Sequence, residues 1–255
     1  MLKLIKYEFM RKDKVIMVFI ISLIINLFMV LKLQTEGSAM FIGLFPLISM
    51  TLYIVDIISM YSRDLNNKSG YMLFMTPNSG YKIIVSKLIT AILEGLFILL
   101  FYFIIILING IYMGSFYNIN YNEVINFINM ILSGYFRFNL GHVFVFLITA
   151  LVFILNFILS AYTAITIRKS IFSEIKFAGF LSFIIFIAIN WFTSFTAKKL
   201  IPMLNPYFES LTQVQGSLTA TQLVYVFLPL MIVLIIQCAI MTVASGYLLE
   251  KKINL

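Results

Sequence analysis

Six long apolar runs, each separated from the next by a polar stretch, leave this chain few ways to fold. A helix rises ~1.5 Å per residue, so about 20 apolar residues cross the ~30 Å hydrocarbon core of a bilayer. The runs cover Lys14 to Leu31, Ala39 to Met60, Leu88 to Met113, Gly141 to Ile167, Phe177 to Thr196 and Gln222 to Leu249. Leu, Ile, Phe and Val dominate them. None alternates apolar with polar residues at period two, which excludes an outer-membrane β-barrel. The chain is 62% hydrophobic and 11% charged, and a water-soluble protein of 255 residues with that surface would aggregate. The expected class is therefore all-α: a polytopic membrane protein with six transmembrane helices, read as one domain over 1–255.

Lys and Arg set the expected orientation. With the N-terminus inside, the inner segments hold 14 of the 18 basic residues, and the outer ones hold only Lys32, Arg137, Lys198 and Lys199. Both ends are then cytoplasmic, in a cell membrane. The net charge of +8 follows from this retention pattern and does not argue for nucleic acid. Cys238 is the only cysteine, so no intrachain disulfide forms, and its apolar surroundings suit a small packing residue. No cleavable signal peptide is expected, because the first apolar run continues too far.

The segments outside the runs have their own patterns. In 1–13, Leu2, Leu4, Ile5, Phe9 and Met10 interleave with Lys3, Lys6, Glu8, Arg11, Lys12 and Asp13. That fits an interfacial helix whose lysines reach lipid phosphates, with a frayed basic tail as the alternative. The loops 114–140 and 197–221 fall outside the cell. In the first, Asn120 to Leu132 has helical spacing, with Asn120 and Glu123 as a capping pair. The second carries Pro202 and Pro206 and reads as a re-entrant segment or a plain loop. Pro46 and Pro229 mark possible kinks in the second and sixth spans.

The most informative polar stretch is 61–87. It contains a short aromatic block, Tyr71 to Met75, bounded by Gly70 and Pro77 and flanked by Arg63, Lys68 and Lys82. The block is too short to cross a membrane and too apolar for a plain linker. It can dock on a soluble partner, or it can lie as a loop with its aromatics among headgroups. Two acids beside it are costly for a passive anchor. Asp56 lies near the inner end of the second span and Glu94 about two turns into the third. Charge at the bilayer centre costs at least ~2.5–3.5 kcal/mol and less near an interface. Both acids can pair with Arg63 or Lys87, or face a polar cavity.

Catalytic signatures are missing. There is no phosphate-binding G-x-x-x-x-G-K-[ST] loop, no H-E-x-x-H, and no Ser/His/Asp set around the single histidine, His142. The chain is read as a non-enzyme with no cofactor of its own. A secondary transporter would need internal repeats and broken helices, and Asn109, Asn156, Asn190 and Gln237 do not form such a repeat in the sequence. A sensor or assembly factor would need a soluble domain, and no loop is long enough for one.

The stretch 61–87 resembles the cytoplasmic loop of bacterial ABC-2-type transporter permeases. The matching residues are Arg63-Asp64, Gly70, Leu73-Phe74, Thr76-Pro77-Asn78-Ser79 and Ser86-Lys87. The family often has Gly where this chain has Ser86, and Glu where it has Asn67-Lys68. The six spans and the N-terminal helix are similar in layout. The resemblance implies a transmembrane subunit that pairs with a second permease chain. It implies a coupling helix in 61–87, with Arg63, Lys68, Tyr71, Leu73, Phe74, Pro77 and Lys82 meeting a separate ATP-binding cassette ATPase subunit. ATP and Mg would sit on that partner. The implied activity is ATP-driven export of a hydrophobic or amphipathic cargo such as a drug or antimicrobial peptide.

Overall fold

The computed structural model describes residues 2–66, 79–117, 122, 126, 140–172, 178–205 and 220–251. Six helices make up these residues, with no strand among them: α1 (Leu2–Met10), α2 (Asp13–Asn66), α3 (Gly80–Tyr117), α4 (Leu140–Ile171), α5 (Ala178–Leu204) and α6 (Ala220–Lys251). All but α1 are long and apolar enough to cross a membrane. They are the helices of a multi-pass membrane protein.

Helix α2 is not straight. Gln34 has φ 47° and ψ −120°, and the chain doubles back there. Along a straight helix, Phe19 and Phe45 would lie ~39 Å apart, yet their ring centroids are 6.3 Å apart. The turn is tight enough to need Gly37, where a Cβ would lie 2.3 Å from the Met29 carbonyl oxygen. The sequence places a polar break over 32–38. The structure keeps helix on both sides and reverses at Gln34 alone. The two arms, 13–33 and 35–66, are thus an antiparallel pair.

Packing divides the chain into two compact units. One comprises Met1–Ser59 and Val85–Asn126, the other Met60–Ile84 and Phe127–Leu255. In the first, Phe19, Phe41, Phe45 and Ile105 form the buried core. Helix α3 packs against both arms. Tyr53 Oη donates to the Ala91 carbonyl and Tyr102 Oη to the Ile42 carbonyl, so α3 runs antiparallel to the arm 35–66. Phe19 meets Phe101, and Asn26 meets Asn109, so α3 runs parallel to the arm 13–33. The order is up, down, up.

The second unit is also an alternating triple. Phe146 meets Phe227 and Asn156 meets Gln237, so α4 and α6 are parallel. Helix α5 is antiparallel to both, through Asn190 on Ser160 and Gln237 on Thr193. Its outward face is almost wholly apolar, with Phe180 68% and Trp191 67% exposed. Lipid covers such a face without cost, which is why the composition can be so apolar. Helix α5 also continues through Pro202 to Leu204, into the segment expected to be a loop.

Two prolines inside helices have their backbone defects repaired. Proline lacks the N–H that the carbonyl four residues earlier needs, and an unpaired carbonyl is expensive in lipid. The carbonyl orphaned by Pro46 is that of Ile42, and Tyr102 Oη donates to it at 3.0 Å. The carbonyl orphaned by Pro229 is that of Tyr225, and Asn205 Nδ2 donates to it at 2.9 Å. Both helices therefore pass through their prolines without breaking.

Candidate functional site

Charge is concentrated at one end of the first unit. Helix α1 and the start of α2 bring Glu8 and Lys12 to that end. The arm 35–66 brings Asp56, and α3 brings Lys87 and Glu94. Lys87 Nζ donates to Glu8 Oε1 at 2.7 Å, with the two side chains 0% and 2% exposed. Lys12 Nζ donates to Asp56 Oδ2 at 2.8 Å and also to Glu94 Oε2. Asp56 is the most accessible member, its side chain 26% exposed. A buried ion needs a counter-ion and further hydrogen bonds to offset its desolvation. Here Lys12 answers two carboxylates at once, while Glu8 Oε2 and Glu94 Oε1 accept no hydrogen bond among the described residues.

This corrects the sequence reading of 1–13. Helix α1 forms as expected, over Leu2–Met10, and Lys6, Tyr7, Met10 and Arg11 are exposed. Lys12, however, does not reach for lipid phosphate; it is buried between Asp56 and Glu94. Lys12, which the sequence reading does not name as a partner, is thus shared by both acids.

The described stems 61–66 and 79–84 belong to the second unit, whereas Val85 to Lys87 belong to the first. Tyr61 is fully buried; its hydroxyl lies 2.5 Å from Thr166 Oγ1 and its ring stacks on Tyr162 at 4.1 Å. Arg168 Nη2 donates to Asn66 Oδ1 at 2.7 Å. On the far side of the loop, the Gly80 N–H donates to Glu250 Oε1 at 3.0 Å. Gly80 itself lies against the Gly246 carbonyl, and the Tyr81 ring covers Gly246. Arg63 and Lys82, the expected framing charges, are exposed on these two stems. Lys68, Tyr71, Leu73, Phe74 and Pro77 lie outside the described residues, as do nearly all of the expected outer helix 120–132 and the segment 206–219.

A third cluster crosses the middle of the second unit. Asn156 Nδ2 donates to Gln237 Oε1 at 3.3 Å, and Gln237 Nε2 donates to the Thr193 carbonyl and to Thr196 Oγ1. Asn190 Nδ2 donates to Ser160 Oγ at 3.1 Å. In the sequence these amides form no repeat. Their signal was a single amide near the middle of each of three apolar runs, where each needs a partner from another helix. The bonds they make to one another and to backbone tie α4, α5 and α6 together. No group of His, Cys, Asp and Glu that could hold a metal ion occurs among the described residues.

No family model, no curated protein and no solved structure matches the chain.

Proposed function

We propose that this chain is the transmembrane subunit of an ATP-driven transporter of the ABC-2 permease type. In this reading the hairpin at Gln34 makes six crossings from five long helices. Both ends lie in the cytoplasm of a bacterial cell, and 61–87 faces the cytoplasm. Tyr71, Leu73 and Phe74 insert into a groove on a separate ATP-binding subunit, with Arg63, Lys68 and Lys82 around the contact. ATP and Mg belong to that subunit, and a second permease chain completes the path. Export of a hydrophobic or amphipathic cargo suits the aromatic, apolar spans.

One observation carries the reading. Both stems of the loop are fixed to other helices, Tyr61 on α4 by a buried contact and Asn66 on α4 and Gly80 on α6 by partly buried ones. A loop that only links two spans has no use for such a base; a loop that receives force from a partner does. The test is purification of the full tagged chain from its native membranes. Recovery of an ATP-hydrolysing subunit in stoichiometric amount supports the reading, and recovery of the chain without one contradicts it.

A second reading has an observation of its own. Each unit is an alternating triple whose parallel first and third helices are joined by a side-chain amide pair, Asn26 with Asn109 and Asn156 with Gln237. Paired triples with polar groups near mid-membrane are the plan of many secondary transporters. Uptake or efflux driven by an ion gradient in vesicles without ATP would favour that class.

A further inference from the structure

We infer that force arriving at the loop is delivered to α4 and α6, with Arg168 and Glu250 as the positioning residues that transmit it. The inference deepens the proposed function and rests on its reading of 61–87 as the docking loop. By chain continuity, a push on the loop would travel into the arm 35–66 and along α3, in the first unit. The packing says otherwise. Residues 60–66 and 79–84 group with α4, α5 and α6, and the change of unit falls after Ser59 and before Val85, inside continuous helix.

The two stems are held by different chemistry. Arg168 is only 5% exposed, and its guanidinium donates a charge-assisted bond to Asn66 Oδ1. Separating that pair would leave a buried cation without this acceptor, so Asn66 and α4 move together. Beside it, the stacked Tyr61 and Tyr162 rings resist sliding along the helix. The other stem is held at the backbone. Glu250 accepts from Gly80 N–H at the start of α3, one of the donors a helix leaves unsatisfied, and at the end where a negative charge is favourable. A Cβ on Gly246 would lie 2.3 Å from the Tyr81 ring, and one on Gly80 would lie 2.9 Å from the Gly246 carbonyl oxygen. Two helices crossing this closely have no side-chain layer between them to yield. Displacement of the stem becomes displacement of α6.

The test loads the loop without the partner. A peptide epitope is inserted between Ser69 and Gly70 in the full-length protein, and the cognate Fab fragment is the probe. Hydrogen exchange is followed by mass spectrometry in 158–171 and 241–251, and in 41–59 and 88–105 for the first unit. Fab binding should change exchange at least threefold in the α4 and α6 segments and leave the first unit's segments within error. Arg168→Gln combined with Glu250→Ala should cut that response at least threefold at unchanged Fab affinity and unchanged thermal stability. A purely structural role would lower stability and preserve the response. If the double variant does not accumulate, Glu250→Ala alone should reduce the response in 241–251 and spare that in 158–171. An equal or larger change in the first unit, no change in α4 and α6, or a full response in the variants would overturn the inference. Because the Fab replaces the ATPase, absence of a co-purifying ATPase would sink the transporter reading without deciding this result.

Discussion

Lys87 Nζ and Glu8 Oε1 lie 2.7 Å apart, with both side chains almost completely withdrawn from the surface. The pair ties α1 to α3 at the same end of the unit where Lys12 holds Asp56 and Glu94. Removing one partner strands the other, which costs about 3–5 kcal/mol, whereas replacing both with apolar residues of similar size is often close to neutral. Lys87→Met should therefore lower the melting temperature of the purified protein sharply, and Glu8→Leu with Lys87→Met should recover most of the loss. Equal losses in the single and double variants would show that the pair is not coupled.

Lys12 gives a second, separable test. Asp56→Asn removes the more exposed of its two acids and should change stability by less than about 1 kcal/mol, as partly solvated pairs do. Glu94→Gln removes the buried partner and should cost more. If membrane abundance holds in both variants while transport falls, the acids lie on the transport path. If abundance falls in Glu94→Gln alone, they are structural. Normal abundance and normal transport in both would remove them from the functional list.

The Pro46 repair predicts a double-mutant cycle. Tyr102→Phe deletes the donor to the Ile42 carbonyl and should cost about 1–3 kcal/mol, the penalty of an unsatisfied buried group. Pro46→Ala restores a backbone N–H for the same carbonyl. In that background Tyr102→Phe should cost little. Additive losses, read from thermal unfolding of the four proteins, would contradict the repair.

How much of this was legible beforehand depended on the interaction. Apolar run length alone marked the five long helices, because lipid forces backbone groups to pair within each helix. Interleaved charges marked α1. The reversal at Gln34 was legible only as a polar break, since a non-glycine residue at positive φ leaves no composition signal. The partners of Asp56 and Glu94 were missed because Lys12 lies 44 and 82 residues away, and its charge was assigned to lipid. Lys87 and Glu94 lie seven residues apart on one face of α3, and Glu8 and Lys12 four apart with the signs reversed. That complementarity was present in the sequence, but only the fold brings the two faces together. The hydrogen bonds between the mid-membrane amides were hidden for the same reason. The anchoring of 61–66 and 79–84 was invisible, because stacking and glycine crossings depend on which helices are neighbours.

Six crossings can be counted by labelling. In a Cys238→Ser background, single cysteines replace Glu36, Ser69, Asn122, Ser173 and Thr212. An impermeant thiol reagent on intact cells should label positions 36, 122 and 212 and spare 69 and 173. Labelling at 69, or none at 36, would overturn the proposed topology.

The central claim is that 61–87 couples this chain to an ATP-binding partner. Aromatic anchors buried at an interface commonly contribute ~2 kcal/mol or more each, while surrounding charges act mainly on orientation and encounter rate. The deciding measurement is co-purification and ATP hydrolysis for the full chain carrying Leu73→Asp and Phe74→Ala together, beside wild type, in reconstituted membranes. Loss of the ATPase from the double variant, at wild-type membrane abundance and thermal stability, is the predicted result. Unchanged co-purification and hydrolysis would make Tyr71 to Met75 a membrane-surface loop and contradict the account.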